Sequence, residues 1–384
     1  MFGKAAKNAA TAAEARENPG CDTDWEAGSS VMSNDTLGFG IIGCGVIAPT
    51  HLKGIEACSN AELVAVCDID VEKGKAFAAE HGDVAFHAEQ EKLAADPNVD
   101  VVCVCTPSGI HADGAIAAAR AGKHVFCEKP LDIKRPRMTE MITTCRDAGV
   151  KMGCVFQSRT SPEMIKVRNA IQKGALGQMT LADIYLKDYR SQGYYKSAGW
   201  RGTWALDGGG ALMNQGVHGI DLLLWTMGDD VESVFARADH LVRDIEVEDT
   251  CVACLKFKNG AFGTLIGTTS CNPGETRRME LHGKYGSICV KGSTITRWAV
   301  TEEEDGRAKD AEAPAEDSID EGTTGDNKAV GSTGHVFLVD DLVNAIKEDR
   351  DPYITGESAR KAVDLILAIY ESAETGKDVP VVSE

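Results

Sequence analysis

Apolar residues arrive in two rhythms along this chain. Between residues 37 and 158, short runs that are apolar almost throughout (39–42, 63–67, 99–105, 124–127 and 151–156) alternate with stretches of helical spacing at 48–58, 71–81, 111–121 and 135–148. A strand without a polar face is buried on both sides, so the pattern predicts a parallel sheet covered by helices on both faces. Beyond Arg159 the rhythm changes. A helix is expected at 162–173, ended by Gly174, then a period-two strand at 180–188, a glycine-rich turn and a helix at 211–227. Strand-like runs at 231–238, 250–257, 261–269, 280–282 and 287–290 follow without helices between them, which implies an antiparallel sheet. Helices at 335–347 and 357–375 close the pattern. The expected organisation is an α/β dinucleotide-binding domain of Rossmann type at 37–158 and an α+β domain at 159–384.

Composition narrows the function more than the fold. The chain has 384 residues, ample for two cores, and its formal charge is −19. That balance argues against nucleic acid, which calls for a basic footprint. Part of the excess is local: residues 302–326 hold 11 acids and two bases, so 302–334 reads as a solvated acidic loop. Residues 1–36 have little to bury and read as a disordered extension, with a short helix at 4–16 conceivable. Met32 would make an ordinary start, so residues 1–31 are expected to be dispensable. The 13 cysteines are scattered through apolar runs, where free thiols pack as small hydrophobes. Cys251 and Cys254 form a CxxC, but no second pair or His pair accompanies them, and on a strand they point to opposite faces. No metal is expected, and a reducing cytoplasm is the natural location. Neither a membrane-spanning run nor an export signal is evident.

The candidate chemistry lies at strand ends. Gly43-Cys44-Gly45-Val46-Ile47-Ala48 follows a strand and opens a helix, the G-x-G-x-x-A arrangement in which glycines admit a pyrophosphate to a helix N-terminus. Asp68 ends the second strand, where a carboxylate accepts the adenosine ribose hydroxyls and disfavours a 2′-phosphate, so NAD is preferred over NADP. Lys73 and Lys75 nearby weaken that preference. Thr106 and Pro107 end the third strand and should face the cofactor; His111 could cap, pack or touch it. Glu128-Lys129-Pro130 ends the fourth, where an ammonium can stabilise a developing alkoxide. A cis Lys129–Pro130 bond is open. Asn214, His218 and Asp221 are spaced to share one helical face, and His218 suits a hydroxyl proton near neutrality. Asp221 could orient the imidazole or cap local backbone. Tyr194, Tyr195, Trp200, Arg201 and Trp204 crowd the loop before Gly208, Gly209 and Gly210, a composition that suits a sugar ring or plain packing.

Taken in order, these motifs resemble the Gfo/Idh/MocA oxidoreductases over residues 37 to 384, without the N-terminal extension and much of the acidic segment. The resemblance implies a Rossmann domain followed by an open-faced, mostly antiparallel sheet domain, often used in homodimers or homotetramers. It also implies a nicotinamide cofactor, with Lys129 and His218 as the catalytic pair acting on a hydroxyl carbon of a sugar, sugar derivative or cyclitol. Gly43, Gly45, Val46, Ile47, Asp68, Thr106, Pro107, His111, Glu128 and Lys129 are the expected cofactor contacts. Arg159, Trp200, Arg201, Asn214 and His218 are the expected substrate contacts. Inositol dehydrogenases of the family usually carry Asp four residues before the His; Asn214 stands there, which speaks against an inositol. Two further readings compete with a plain dehydrogenase. One is glycoside cleavage through transient oxidation of the sugar, and the other is a non-catalytic binder, which would need neither Lys129 nor His218.

Overall fold

Apolar strands that must be covered on both faces fix the first half of the molecule. In the computed structural model, which describes residues 36–228, 230–301, 306–311 and 333–382, this half contains β1 (Leu37–Ile42), α1 (Ala48–Ala57), β2 (Ala61–Cys67), α2 (Val71–Glu80), β3 (Ala85–His87), α3 (Gln90–Ala94), β4 (Val101–Val104), α4 (His111–Arg120), β5 (His124–Cys127), α5 (Arg135–Asp147) and β6 (Met152–Cys154). The six strands are all parallel, in the order β3-β2-β1-β4-β5-β6. Order reverses between β1 and β4, which opens a crevice at the carboxyl ends of the strands. The short β3 and α3 were not separable in the sequence.

The second half holds α6 (Pro162–Gln172), β7 (Met179–Lys187), α7 (Gln192–Lys196), α8 (Val217–Met227), β8 (Val231–Asp239), β9 (Thr250–Phe257), β10 (Phe262–Thr268), β11 (Arg278–Gly283), β12 (Gly286–Lys291), β13 (Thr294–Val300), β14 (Asp310–Ala311), α9 (Thr333–Lys347), α10 (Gly356–Thr375) and β15 (Val379–Pro380). Its nine strands run β14-β13-β12-β11-β7-β10-β9-β8-β15. Neighbours are antiparallel except β7 and β10, which are parallel, so the sheet is mixed at its centre. Helix α8 lies on β7 and α10 on β8. Among the described residues no helix packs on the opposite face, and Leu181, Phe235, Val252 and Phe262 are exposed there.

The two sheets belong to one compact unit. Helix α9 returns to pack on α1, and an isolated bridge joins Gly153 of β6 to Thr355 before α10. The expected helix at 4–16 and most of the acidic loop lie outside the described residues; Asp310–Ala311 of that segment pairs with β13. All the described cysteines are free thiols, and Cys251 is buried while Cys254 is exposed, as alternation along β9 requires. No helix among the described residues is long and apolar enough to cross a membrane.

Candidate active site

Four chemistry-bearing residues stand at the carboxyl ends of four adjacent strands: Gly43 after β1, Asp68 after β2, Thr106 after β4 and Lys129 after β5. Gly43 turns with φ +94°, and a Cβ there would meet the Cys105 carbonyl oxygen at 2.7 Å, so only glycine passes. At Gly45 a Cβ would meet nothing within 4 Å. That open cradle lies at the N-terminus of α1, which has no side-chain cap, so a diphosphate fits there. Val46 and Ile69 are exposed beside it, at 66% and 95%, apolar surface suited to a flat base. The Thr106 hydroxyl is buried without a partner at the same edge. Asp68 is more occupied than its position suggests. Its Oδ2 accepts from Cys44 N at 2.8 Å and Lys73 Nζ at 2.7 Å, and its Oδ1 from Asp70 N at 2.9 Å.

The Lys129–Pro130 bond is cis. Lys129 Nζ donates to the Asn214 carbonyl oxygen at 2.9 Å, tying the first sheet to the segment before α8. Burial lowers its pKa, opposed by the charges of Glu128 and Asp207. Glu128 does not face the cofactor crevice as expected. Its Oε2 accepts from Lys129 N at 3.0 Å, and its Oε1 meets His51 Nε2 of α1 at 2.9 Å and His335 Nε2 of α9 at 3.4 Å. Burial tends to raise this carboxyl, but hydrogen bonds from His335 and His51 outweigh it and hold the group well below the usual range. The three ligand-capable atoms lie within 4.8 Å of one another, a grouping that no local spacing announces. His111 packs between two strand ends, one of the roles open to it: its Nδ1 lies 2.7 Å from the Pro130 carbonyl and its Nε2 2.9 Å from the Thr106 carbonyl, and a neutral ring donates to one of the two.

The expected continuous helix at 211–227 is two structures. Ala211–Gly216 is a π-helical turn and Val217 begins α8, so Asn214 does not share an α-helical face with His218. Glu248 anchors this turn: Oε2 accepts from Gly210 N at 3.0 Å, and Oε1 accepts from Leu212 N at 2.8 Å and from the Tyr370 hydroxyl at 2.9 Å. Burial raises Glu248 to about 7. Close backbone approach explains two of the glycines, since a Cβ would meet the Tyr370 hydroxyl at 2.0 Å from Gly209 and the Glu248 carbonyl at 2.1 Å from Gly210. The imidazole of His218 lies edge-on to Phe156, with Nδ1 buried and unpartnered. Burial first, and then the Lys129 ammonium, push it well below 6.5, so the ring is neutral.

Asp221 neither orients His218 nor caps backbone. It takes Arg159 in a buried two-point pair, with Nε to Oδ2 at 2.8 Å and Nη2 on Oδ1, while Arg159 Nη1 reaches Ser358 Oγ at 2.6 Å. A guanidinium spent in this way, at 3% exposure, is a structural strut and not the expected substrate contact. The site gains instead a residue that the motifs did not single out. Asp207, just ahead of the glycines, accepts from Gly202 N at 2.7 Å and from Asn214 Nδ2 at 2.5 Å. Burial raises it to about 6 against those two donors. A carboxyl thus stands behind Asn214, and its place beside the glycine run was the one available signal.

On the outer wall, the Arg201 guanidinium lies over Tyr194 and Trp200, 4.2 and 4.8 Å from the ring centroids, and donates to the Tyr194 hydroxyl. Gln215 Nε2 donates to the same hydroxyl at 2.8 Å, and Arg190 Nη2 donates to Gln215 Oε1 at 2.9 Å. Both Arg201 and Arg190 lie within electrostatic reach of Lys129. Tyr195 is core, its hydroxyl on Thr269 Oγ1 at 2.8 Å.

Two family models match. One, described as the oxidoreductase family with an NAD-binding Rossmann fold, covers residues 37–156; the other, the GFO/IDH/MocA C-terminal domain, covers 164–289. Among solved structures, the WlbA dehydrogenase from Bordetella pertussis, in complex with NADH and UDP-GlcNAcA, is 32% identical with a TM-score of 0.79; the match covers 91% of this chain and all of that one. Myo-inositol 2-dehydrogenase from Thermotoga maritima is 29% identical, covering 70% of this chain and 79% of its own length. For 1,5-anhydro-D-fructose reductase from Ensifer adhaerens the figures are 28%, 88% and 97%.

Proposed function

This chain belongs to the GFO/IDH/MocA oxidoreductases and is an NAD-binding enzyme, and we propose that it transfers hydride at a hydroxyl-bearing carbon of a sugar, sugar derivative or cyclitol. The observation that carries the reading is the meeting of Lys129 with the segment that bears His218, through the 2.9 Å bond from Lys129 Nζ to Asn214 O. Gly43, Gly45, Val46, Ile47, Asp68, Thr106 and Pro107 would hold NAD, which would supply the hydride acceptor. His218, neutral because it is buried beside an ammonium, takes the hydroxyl proton. Lys129 donates to the same oxygen and stabilises its developing charge. Asn214, set by Asp207, and the ring faces of Trp200 with Arg201 position the sugar. Residues 37–158 act as the nucleotide half and 159–384 as the substrate half.

The names borne by relatives favour a dehydrogenase over a glycoside-cleaving cycle: a dehydrogenase crystallised with UDP-GlcNAcA, an inositol dehydrogenase and an anhydrofructose reductase. The free thiols fit a reducing cytoplasm. The apolar stripe on the open sheet face supports a homo-oligomer. The test is a screen of sugars, uronates, inositols and glycosides with NAD and NADP, following absorbance and product together. NADH accumulating in step with an oxidised product supports the proposal. A cleaved glycoside with no net NADH would replace it with the elimination cycle.

A further inference from the structure

Building on the sugar-oxidoreductase reading, we infer that the substrate carries an anionic group, a carboxylate or a phosphoryl on the sugar, which Arg201 with Arg190 reads near Lys129. The chain as a whole is strongly acidic, yet the charged groups around Lys129 and His218 are not. Lys129, Arg190, Arg201 and Arg277 lie within electrostatic reach of Lys129 or His218, against Asp188, Asp207 and, behind Lys129, Glu128. Glu128 is engaged by His51 and His335, and Asp207 by Gly202 and Asn214.

Arg201 is the decisive side chain. Two aromatic faces hold its guanidinium and one nitrogen is fixed on the Tyr194 hydroxyl, so its plane is set in advance. Its Nε is buried without a partner, and among the described residues no carboxylate forms an ion pair with it. Asp207 acts on it only at longer range, so a half-buried guanidinium with no carboxylate paired to it gains from a ligand that supplies one. A planar fork matches the two oxygens of a carboxylate or phosphoryl group. Of the two neutral amides nearby, Gln215 is committed to Tyr194 and Arg190, which leaves Asn214, set by Asp207, to read a sugar hydroxyl. The hydroxyl to be oxidised then lies at Lys129 and His218, with the anion held at the Arg201 end.

The experiment uses the full chain loaded with NAD and two readouts, calorimetric binding and NADH formation. The probes are hexuronates (glucuronate, galacturonate and mannuronate), glucose 6-phosphate, UDP-glucose and the neutral parent hexoses. At least one anionic probe should bind in preference to its neutral parent. Preference for the uronates assigns the charge to a carboxylate; preference for the phosphorylated probes assigns it to phosphoryl. Arg201→Gln should shrink the anionic-to-neutral ratio roughly 10–100-fold, the loss expected for a hydrogen bond to a charged group, and Arg201→Lys should restore part of it. If Arg201→Gln fails to fold, Arg201→Lys against the wild type carries the comparison. Neutral hexoses binding and turning over as well as the anionic probes, or a variant that weakens both alike, overturns the inference and leaves the oxidoreductase reading standing. Anion-selective binding through Arg201 without NADH formation upholds the inference and counts against that reading. No binding by any probe overturns it.

Discussion

Burial acts in opposite directions on His218 and Asp207: it discharges the imidazole and draws the carboxyl up to about 6. Near neutrality the pair is therefore a neutral base and an ionised acid. Because the folded pKa of Asp207 lies above its usual value, the folded state holds that proton more tightly, and stability falls as pH rises from about 4 to about 6. For catalysis, kcat/KM should decline on an acid limb near pH 6, and Asp207→Asn should abolish that limb. A limb unchanged in the variant would show that another group sets it. Asp68 yields a second residue-scale prediction. Removing its carboxylate frees the Lys73 ammonium that now sits 2.7 Å away, so Asp68→Ala should narrow the preference for NAD over NADP in paired kcat/KM measurements. A constant ratio would place cofactor discrimination elsewhere. Lys129 and Asp68 could be singled out as candidates from residue type and position at a strand end, and His218 from residue type on a helix. Type and position could not announce that Glu128 is held by His51 and His335, partners 77 and 207 residues away.

At the scale of elements, the nucleotide turn separates two kinds of glycine. Gly43→Ala forces a β-carbon onto the Cys105 carbonyl at positive φ, and should cost roughly 1–3 kcal/mol with a matching fall in Tm. Gly45→Ala meets no protein atom, so Tm should stay near wild type while NAD affinity, measured by titration, drops. Equal Tm losses in the two variants would refute this division. The strands and helices of the first half were legible because each carries its own period. The π turn at Ala211–Gly216 was not, since its extra residue per turn answers to Glu248 and Tyr370, which approach from other elements. For the same reason Asn214 leaves the face it was expected to share with His218 and Asp221. Arg159 claims Asp221 from outside the helix. The parallel pairing of β7 with β10 escaped too, because adjacency of strands that are distant in sequence leaves no local mark.

Across the whole molecule, the open sheet face presents Leu181, Phe235, Val252 and Phe262, with Leu181 directly opposite Phe262. If two copies bury this stripe, Phe262→Glu should shift the species seen by light scattering toward the monomer while the NAD site stays intact. An unchanged mass would move the interface to another surface. The same scale sets the logic of the active site. Lys129 comes from the parallel sheet and His218 from the helix on the mixed sheet, so the proposed roles put the reacting oxygen where the two halves meet. The direct measurement is kcat for NAD-dependent oxidation of the cognate sugar by Lys129→Ala, His218→Ala and the double variant, each first shown to bind NAD. Each single change should lower kcat by roughly 10²–10⁴, and the double variant should lose little more than the worse single one, as for groups that act on one oxygen together. Near-wild-type turnover in either single variant would contradict the account.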